Sequence, residues 1–372
     1  MTAVTPTPRV AIFASVSGQG GVEHMLGNLA RGMLAAGVRV DLVLARAEGE
    51  HLGSIPEHVN VVRLNVRHTW QALPGLIRYL RAARPDALLA AKERAIRIAI
   101  LARWLSGVRV RLAGRLGTTV SAALAGKSRL RRAAWFAGMR LFHPRLDAIV
   151  AVSEGVRDDI VAITGLPASR VTVIDNPVIT PELAVRAAEP AAHPWLTDAS
   201  VPVIMGMGRL TRQKGFPDLI RAFARLRAER PCRLILIGEG GDRARLEALA
   251  ATLGVGTEVD LVGFRHNPYA LLSRASLFVL SSLWEGSPNA LTEALALGIP
   301  SVATDCPSGP RQILADGRFG PLVAVGDVAG LAVAMARTLA NPLPPEALRA
   351  AVAEYTCERS ARRYLASLGV AV

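Results

Sequence analysis

Along this chain, short apolar runs alternate with longer segments whose apolar positions return every three or four residues. The first run, 9–15, is rich in residues that favour strands and stops at Ser17-Gly18-Gln19-Gly20-Gly21. A helical period follows over about 22–36 and breaks at Gly37, and a second strand-like run occupies 38–45. The pattern thus passes from strand to glycine loop to helix and back to strand, the opening unit of a parallel sheet. Further strand-like runs lie at 60–65, 87–91, 108–113 and 148–153, with helical patterns between them. Strand alternating with helix predicts an α/β fold.

Proline density then marks a break. The stretch 176–200 holds Pro177, Pro181, Pro190 and Pro194 and reads as a linker. Beyond it the alternation restarts, with strands predicted at 201–207, 233–237, 259–262, 277–280, 301–303 and 321–323. A chain of 372 residues also exceeds what one core usually holds. The expected architecture is therefore α/β, two Rossmann-like domains facing a central cleft. In such a pair, glycine-rich turns and helix N-termini at the carboxyl ends of the strands suit a phosphate-bearing ligand. Architecture alone does not name the chemistry.

Composition narrows the classes. With 51% hydrophobic and 20% charged residues the chain is globular, not disordered. Lys plus Arg outnumber Asp plus Glu 44 to 30, a net charge of +14, which favours polyanionic partners. Arginine supplies nearly all of that excess, since the lysines are Lys92, Lys127 and Lys214 alone, so compositional bias accounts for part of it. Three scattered cysteines suit neither a disulfide framework nor a zinc site and fit a reducing, cytoplasmic compartment. The first eight residues lack the basic and apolar regions of a signal peptide. No uncharged apolar run reaches 18 residues, so any membrane contact is expected to be peripheral.

Candidate chemistry concentrates in the second half. The N-terminal glycine loop is not a Walker loop, and it departs from G-x-G-x-x-G because Glu23 stands where the third glycine belongs. After the restart strand, Gly208-Arg209-Leu210-Thr211-Arg212-Gln213-Lys214-Gly215 puts two cations at the mouth of a parallel sheet, and such a pair suits a diphosphate. Downstream, Ser281-Ser282-Leu283-Trp284-Glu285-Gly286-Ser287-Pro288-Asn289-Ala290-Leu291-Thr292-Glu293 joins a strand to a helix. Glu285 just before that helix could accept a sugar hydroxyl, and Glu293 the paired hydroxyls of a ribose. Each has a plainer role open to it: Glu285 as a partner of the helix dipole, Glu293 on a solvated face.

Together, Gly208-Arg209-Leu210, Gln213-Lys214-Gly215, the pair Glu285 and Glu293, and Thr304-Asp305-Cys306-Pro307-Ser308-Gly309-Pro310 resemble the family 4 retaining glycosyltransferases of the GT-B fold. Gly20-Gly21-Val22-Glu23 is similar to the family's opening motif. The resemblance spans most of the chain, strongest over about 200–330 and weak between about 60 and 145. It implies an acceptor-side domain over 1–180, onto which a C-terminal helix within 357–372 packs back, and a donor domain over 181–356. It implies a metal-independent transfer, with retention, from a nucleotide diphosphate sugar to a lipid-linked or cell-envelope glycan. The Pro-Ser-Gly-Pro segment leans toward UDP-sugars. The nucleotide sugar is a substrate, and no cofactor or metal is implied. Arg209 and Lys214 would neutralise the diphosphate, Glu293 would hold the ribose, and Glu285 the transferred sugar. Backbone at Gly286, Ser287, Asn289, Ala290 and Leu291 would meet phosphate and sugar. Gly208 belongs to the same donor site, Gly20 and Gly21 would admit the donor without a side-chain clash, and Arg265 would line the base pocket. Two departures stand out: in the loop expected after the strand at 108–113, which reads Gly114-Arg115-Leu116-Gly117-Thr118-Thr119, Arg115 occupies the place of a histidine common in relatives, as a substitute phosphate or acceptor ligand, and Gln312 replaces a glutamate. A nucleotide-sugar epimerase and a non-catalytic nucleotide-sugar-binding subunit are the alternatives.

One further stretch is unusual. Between Glu93 and Asp147 there is no acidic residue, while Arg94, Arg97, Arg103, Arg109, Arg111, Arg115, Lys127, Arg129, Arg131, Arg132, Arg140 and Arg145 fall within it. Trp104, Trp135, Phe136 and Phe142 are interleaved, and 128–142 has the pattern of a basic amphipathic helix. An anionic membrane surface meeting 94–145 is the expected partner. A packed helix with wet arginines is the plain alternative, and no motif for reading nucleic acid accompanies the charge.

Overall fold

The computed structural model describes residues 7–14, 21–45, 55–197 and 200–371. Contacts divide the chain into two units, Met1–Val178 with Tyr355–Val372, and Ile179–Glu354. Each unit is an α/β layer built on one parallel sheet.

The first sheet has seven strands: β1 (Arg9–Ala14), β2 (Arg39–Leu44), β3 (Asn60–Arg63), β4 (Ala87–Ala91), β5 (Arg111–Leu116), β6 (Ala148–Ala151) and β7 (Val171–Val173). Their spatial order is β3-β2-β1-β4-β5-β6-β7. From Val10 onward β1 is apolar at every position because both faces of the sheet are covered. Val10, Ile12 and Ala14 enter one core with the helices Gly21–Ala35 and Cys357–Ser367; Ala11 and Phe13 enter the other. The C-terminal helix lies directly against Gly21–Ala35. A Cβ on Gly32 would stand 2.5 Å from the Cys357 carbonyl oxygen and 2.7 Å from Ala361 Cβ, so only glycine admits this approach.

Two sequence expectations change here. The strand expected at 108–113 runs three residues further, as β5, and Gly114 lies inside it instead of opening a loop. The reason is packing: a side chain at 114 would meet Leu146 and Ile96. The three-residue β7 went unread, being too short for any periodicity to show.

The second sheet has six strands: β8 (Val203–Met207), β9 (Arg233–Ile237), β10 (Val259–Gly263), β11 (Leu277–Leu280), β12 (Ser301–Thr304) and β13 (Leu322–Val323). The order is β10-β9-β8-β11-β12-β13. It reverses direction between β8 and β11, and the carboxyl ends of these two strands bound the crevice where open α/β sheets take ligands. The expected linker at 176–200 is partly structured, with a helix at Glu182–Ala188 whose Leu183 and Ala187 pack on Tyr269. Proline at 181 sits before the helix, where its missing N–H costs nothing.

Candidate functional site

Lys214 and Glu285 meet at the point where the second sheet reverses. Lys214 ends a short 3-10 turn (Arg212–Lys214) after β8, and Glu285 lies in the loop between β11 and the helix Asn289–Ala296. The ammonium of Lys214 donates to Glu285 Oε1 at 2.6 Å, and the hydroxyl of Ser282 donates to the same oxygen at 2.6 Å. The loops themselves are tied together. Ser281 Oγ donates to the Lys214 carbonyl at 2.8 Å, Leu283 N–H to the Gln213 carbonyl at 2.8 Å, and Gln213 Nε2 to the Trp284 carbonyl at 3.0 Å. Thr304, at the end of β12, donates to the Ser282 carbonyl at 2.6 Å and fixes the loop from the other side. A side chain on Gly208 would press into the stem of Lys214, 2.8 Å from Cε, so glycine there leaves the lysine its path.

Arg209 stands on the same loop, exposed, and among the described residues its guanidinium has no hydrogen-bond or ion-pair partner. The site therefore holds one cation committed to a carboxylate and one open to solvent.

Glu293 is buried on the inner side of the helix Asn289–Ala296, not on a solvated face. Tyr269 donates to its Oε1 at 3.1 Å, and the guanidinium of Arg186 lies 5.0 Å over the Tyr269 ring. Burial pushes the Glu293 carboxyl up to about 7, opposed by the Tyr269 hydrogen bond and by the charges of Arg186 and Lys214.

The other expected site residues divide. Gly286, Ser287, Asn289 and Ala290 form the approach and first turn of that helix, with the Gly286 carbonyl accepting from Ser308 Oγ at 2.9 Å. Leu291 is a correction: its side chain is fully buried and its N–H donates to the Pro288 carbonyl at 3.1 Å, so neither is offered to a ligand. Arg265 is exposed and makes no hydrogen bond or ion pair among the described residues. Gly20 lies outside the described residues; Gly21 opens the helix Gly21–Ala35 of the first unit.

Arg115 is the larger correction. It is on β5, not in a loop, and only 2% exposed. Its guanidinium donates to Asn176 Oδ1 at 2.7 Å and to the Tyr364 hydroxyl at 3.1 Å, so it ties the C-terminal helix to the first sheet and is not presented to a substrate. Ser282, Tyr269, Arg186 and Thr304 were not read as site residues. Two of them carried a signal, Ser282 three residues before Glu285 and Thr304 at the head of the 304–310 motif; Tyr269 and Arg186 arrive by tertiary contact. Among the described residues no three His, Cys, Asp or Glu side chains are grouped to hold a metal ion.

Comparison with known proteins places the chain in a family. A model described as Glycosyltransferase Family 4 matches residues 19–181, and one described as Glycosyl transferases group 1 matches 192–359. An uncharacterized glycosyltransferase of Methanocaldococcus jannaschii is 44% identical over 113 residues, 30% of this chain and 28% of that protein. The N-acetylgalactosamine-N,N'-diacetylbacillosaminyl-diphospho-undecaprenol 4-alpha-N-acetylgalactosaminyltransferase of Campylobacter jejuni is 34% identical over 185 residues, 50% of this chain and 48% of that one. The match thus spans about half or less of these curated relatives. The structure of Anabaena HepE in complex with UDP and glucose superposes with a TM-score of 0.79 at 18% identity, over 97% of this chain and 99% of that one, a likeness of fold. Matched from residue 19 to 359 but for 182–191, the chain belongs to the family 4 glycosyltransferases.

Proposed function

We propose that this chain transfers a hexosyl group from a nucleotide diphosphate sugar, preferably a UDP-sugar, to a lipid-linked or cell-envelope glycan, with retention and without a metal ion. The observation that carries the reading is the Lys214–Glu285 pair, 2.6 Å apart at the carboxyl ends of β8 and β11, with Arg209 open on the same loop. When the bond between sugar and diphosphate breaks, negative charge grows on the departing phosphate. A guanidinium meets two of its oxygens at once, an ammonium acts as a point charge, and the first turn of Asn289–Ala296 adds backbone donors. Each prepositioned donor in a site of this kind lowers the barrier by ~3–4 kcal/mol.

Glu285 enters as a carboxylate already oriented by Lys214 and Ser282 and accepts from a hydroxyl of the transferred sugar. Glu293, deeper in the same unit, accepts from the ribose. The acceptor attacks from the side on which the diphosphate leaves. No carboxylate is assigned as a covalent nucleophile, so the two-carboxylate scheme of glycoside hydrolysis is not invoked. Family membership supports the donor class, and the name of the Campylobacter relative, with its diphospho-undecaprenol substrate, supports a lipid-linked acceptor. The preference for UDP rests on the resemblance at Pro307-Ser308-Gly309-Pro310.

A thermal-shift panel of UDP-, GDP- and ADP-sugars tests it. Ligand at 100 times its Kd adds about 2.7 kcal/mol of stability. The expected result is a shift with UDP-sugars that Lys214→Ala and Arg209→Ala abolish. A shift that survives both substitutions, or no shift with any nucleotide sugar, contradicts the proposal.

A further inference from the structure

The helix Arg129–Phe142 has two apolar sides, where a helix at the surface of a folded unit ordinarily has one. Its inner side is Trp135, Phe136, Met139 and Phe142, which pack on the core of the first unit. The interleaved aromatics of the basic stretch are thus mostly turned inward, and Trp135 is covered further by the Arg97 guanidinium, 5.2 Å from the ring centre. The outer side is Leu130, Ala133, Ala134, Ala137 and Leu141, all exposed. Leu130 is 82% and Leu141 54% exposed. At 3.6 residues per turn these five fall within an arc of about 100°. Arg131 borders the arc on one side and Arg129 on the other; Arg140, also on that second side, is held by the fold, its Nε donating to the Ile163 carbonyl at 2.7 Å.

The charge around this stripe is not balanced locally. Residues 94–146 contain no Asp or Glu, and neither Arg129 nor Arg131 has an ion-pair partner among the described residues. Elsewhere in the stretch the arginines are spent on the fold. Arg97 is bound to Glu93 at 2.7 Å, Arg103 to Asp147 at 2.6 Å, and Arg115 to Asn176 and Tyr364. The basic surface that remains is therefore narrower than 94–145 and frames one exposed apolar stripe.

We propose that this outer face of Arg129–Phe142 seats in the interfacial layer of an anionic lipid bilayer, its leucines and alanines at the acyl boundary and its flanking arginines on lipid phosphates. An apolar stripe between two cationic borders matches the layering of such a surface, apolar beneath and anionic above. A nucleic acid would use the arginines and leave the leucines in water. Alanines reach little depth, so binding needs both the leucines and the arginines. The proposal stands apart from the glycosyl-transfer reading, because it uses no residue of the donor site.

The test is co-sedimentation of the full chain with phosphatidylcholine vesicles, with and without phosphatidylglycerol, and no donor or acceptor present. Binding is expected on vesicles containing phosphatidylglycerol at low salt, at least tenfold weaker on phosphatidylcholine alone, and reversed at high salt. Leu130→Ser with Leu141→Ser, and separately Arg129→Glu with Arg131→Glu, each lower partitioning at least tenfold. Both pairs are exposed, and an unchanged melting temperature verifies folding. Arg225→Glu with Arg245→Glu reverses the same charge on the second unit and leaves partitioning as it was. Absence of wild-type binding, indifference to the leucine pair, or an equal loss in the Arg225/Arg245 variant overturns the proposal.

Discussion

Glu293 is a carboxylic acid placed where a carboxylate is costly. It is buried, and a single tyrosine hydroxyl is the hydrogen-bond donor resolved on it. An unfolded glutamate loses its proton at its ordinary value, near 4.5, while the folded one holds it to about 7. Between those values the native state binds a proton that the unfolded state has released, so raising the pH across this window favours unfolding. The penalty is complete above pH 7 and on the order of 3 kcal/mol at most. Melting temperatures at pH 5.5 and 8 should therefore fall in the wild type and change little in Glu293→Gln, which keeps the Tyr269 hydrogen bond and cannot ionise. Equal slopes would mean that Glu293 is ionised throughout. The signal for this was only half present in the sequence. Glu285 and Glu293 could be picked out by their spacing around a helix start, but Tyr269 comes from the short helix Tyr269–Leu272 and Arg186 from a segment that reads as linker.

At the scale of elements, the strands were legible because a parallel sheet covered on both faces demands unbroken apolar runs, as in β1, β4 and β8. Legibility failed where glycine or proline served packing instead of marking a turn. Gly114 lies inside β5, and the prolines of 176–200 surround the helix Glu182–Ala188. The same misreading put Arg115 in a loop. Its true setting makes it a clamp between β5, Asn176 and the helix Cys357–Ser367. Replacing it by methionine leaves the Asn176 oxygen and the Tyr364 hydroxyl without their donor, a loss of roughly 1–3 kcal/mol. Chemical denaturation of Arg115→Met should show that loss, while the KM for donor, measured well below the transition, stays as in wild type. A raised KM with stability intact would return Arg115 to the substrate.

For the whole molecule, the net charge of +14 resolves into separate tasks. Some arginines hold the fold, Arg129 and Arg131 border the stripe on Arg129–Phe142, and Arg209 stands open on the loop that carries Lys214. The chain leaves the first unit at Val178 and returns to it at Tyr355, which lets Tyr364 and Leu365 complete a core begun more than three hundred residues earlier. Within the second unit the Lys214–Glu285 pair of the candidate donor site stands at the ends of β8 and β11, the two strands at which the sheet order turns. The most direct measurement is a crystal structure of the chain with a nucleoside diphosphate bound. The diphosphate should lie within about 3 Å of both the Arg209 guanidinium and the Lys214 ammonium, beyond the carboxyl ends of β8 and β11. A diphosphate bound at any other place, with Lys214 still turned only to Glu285, would contradict the account.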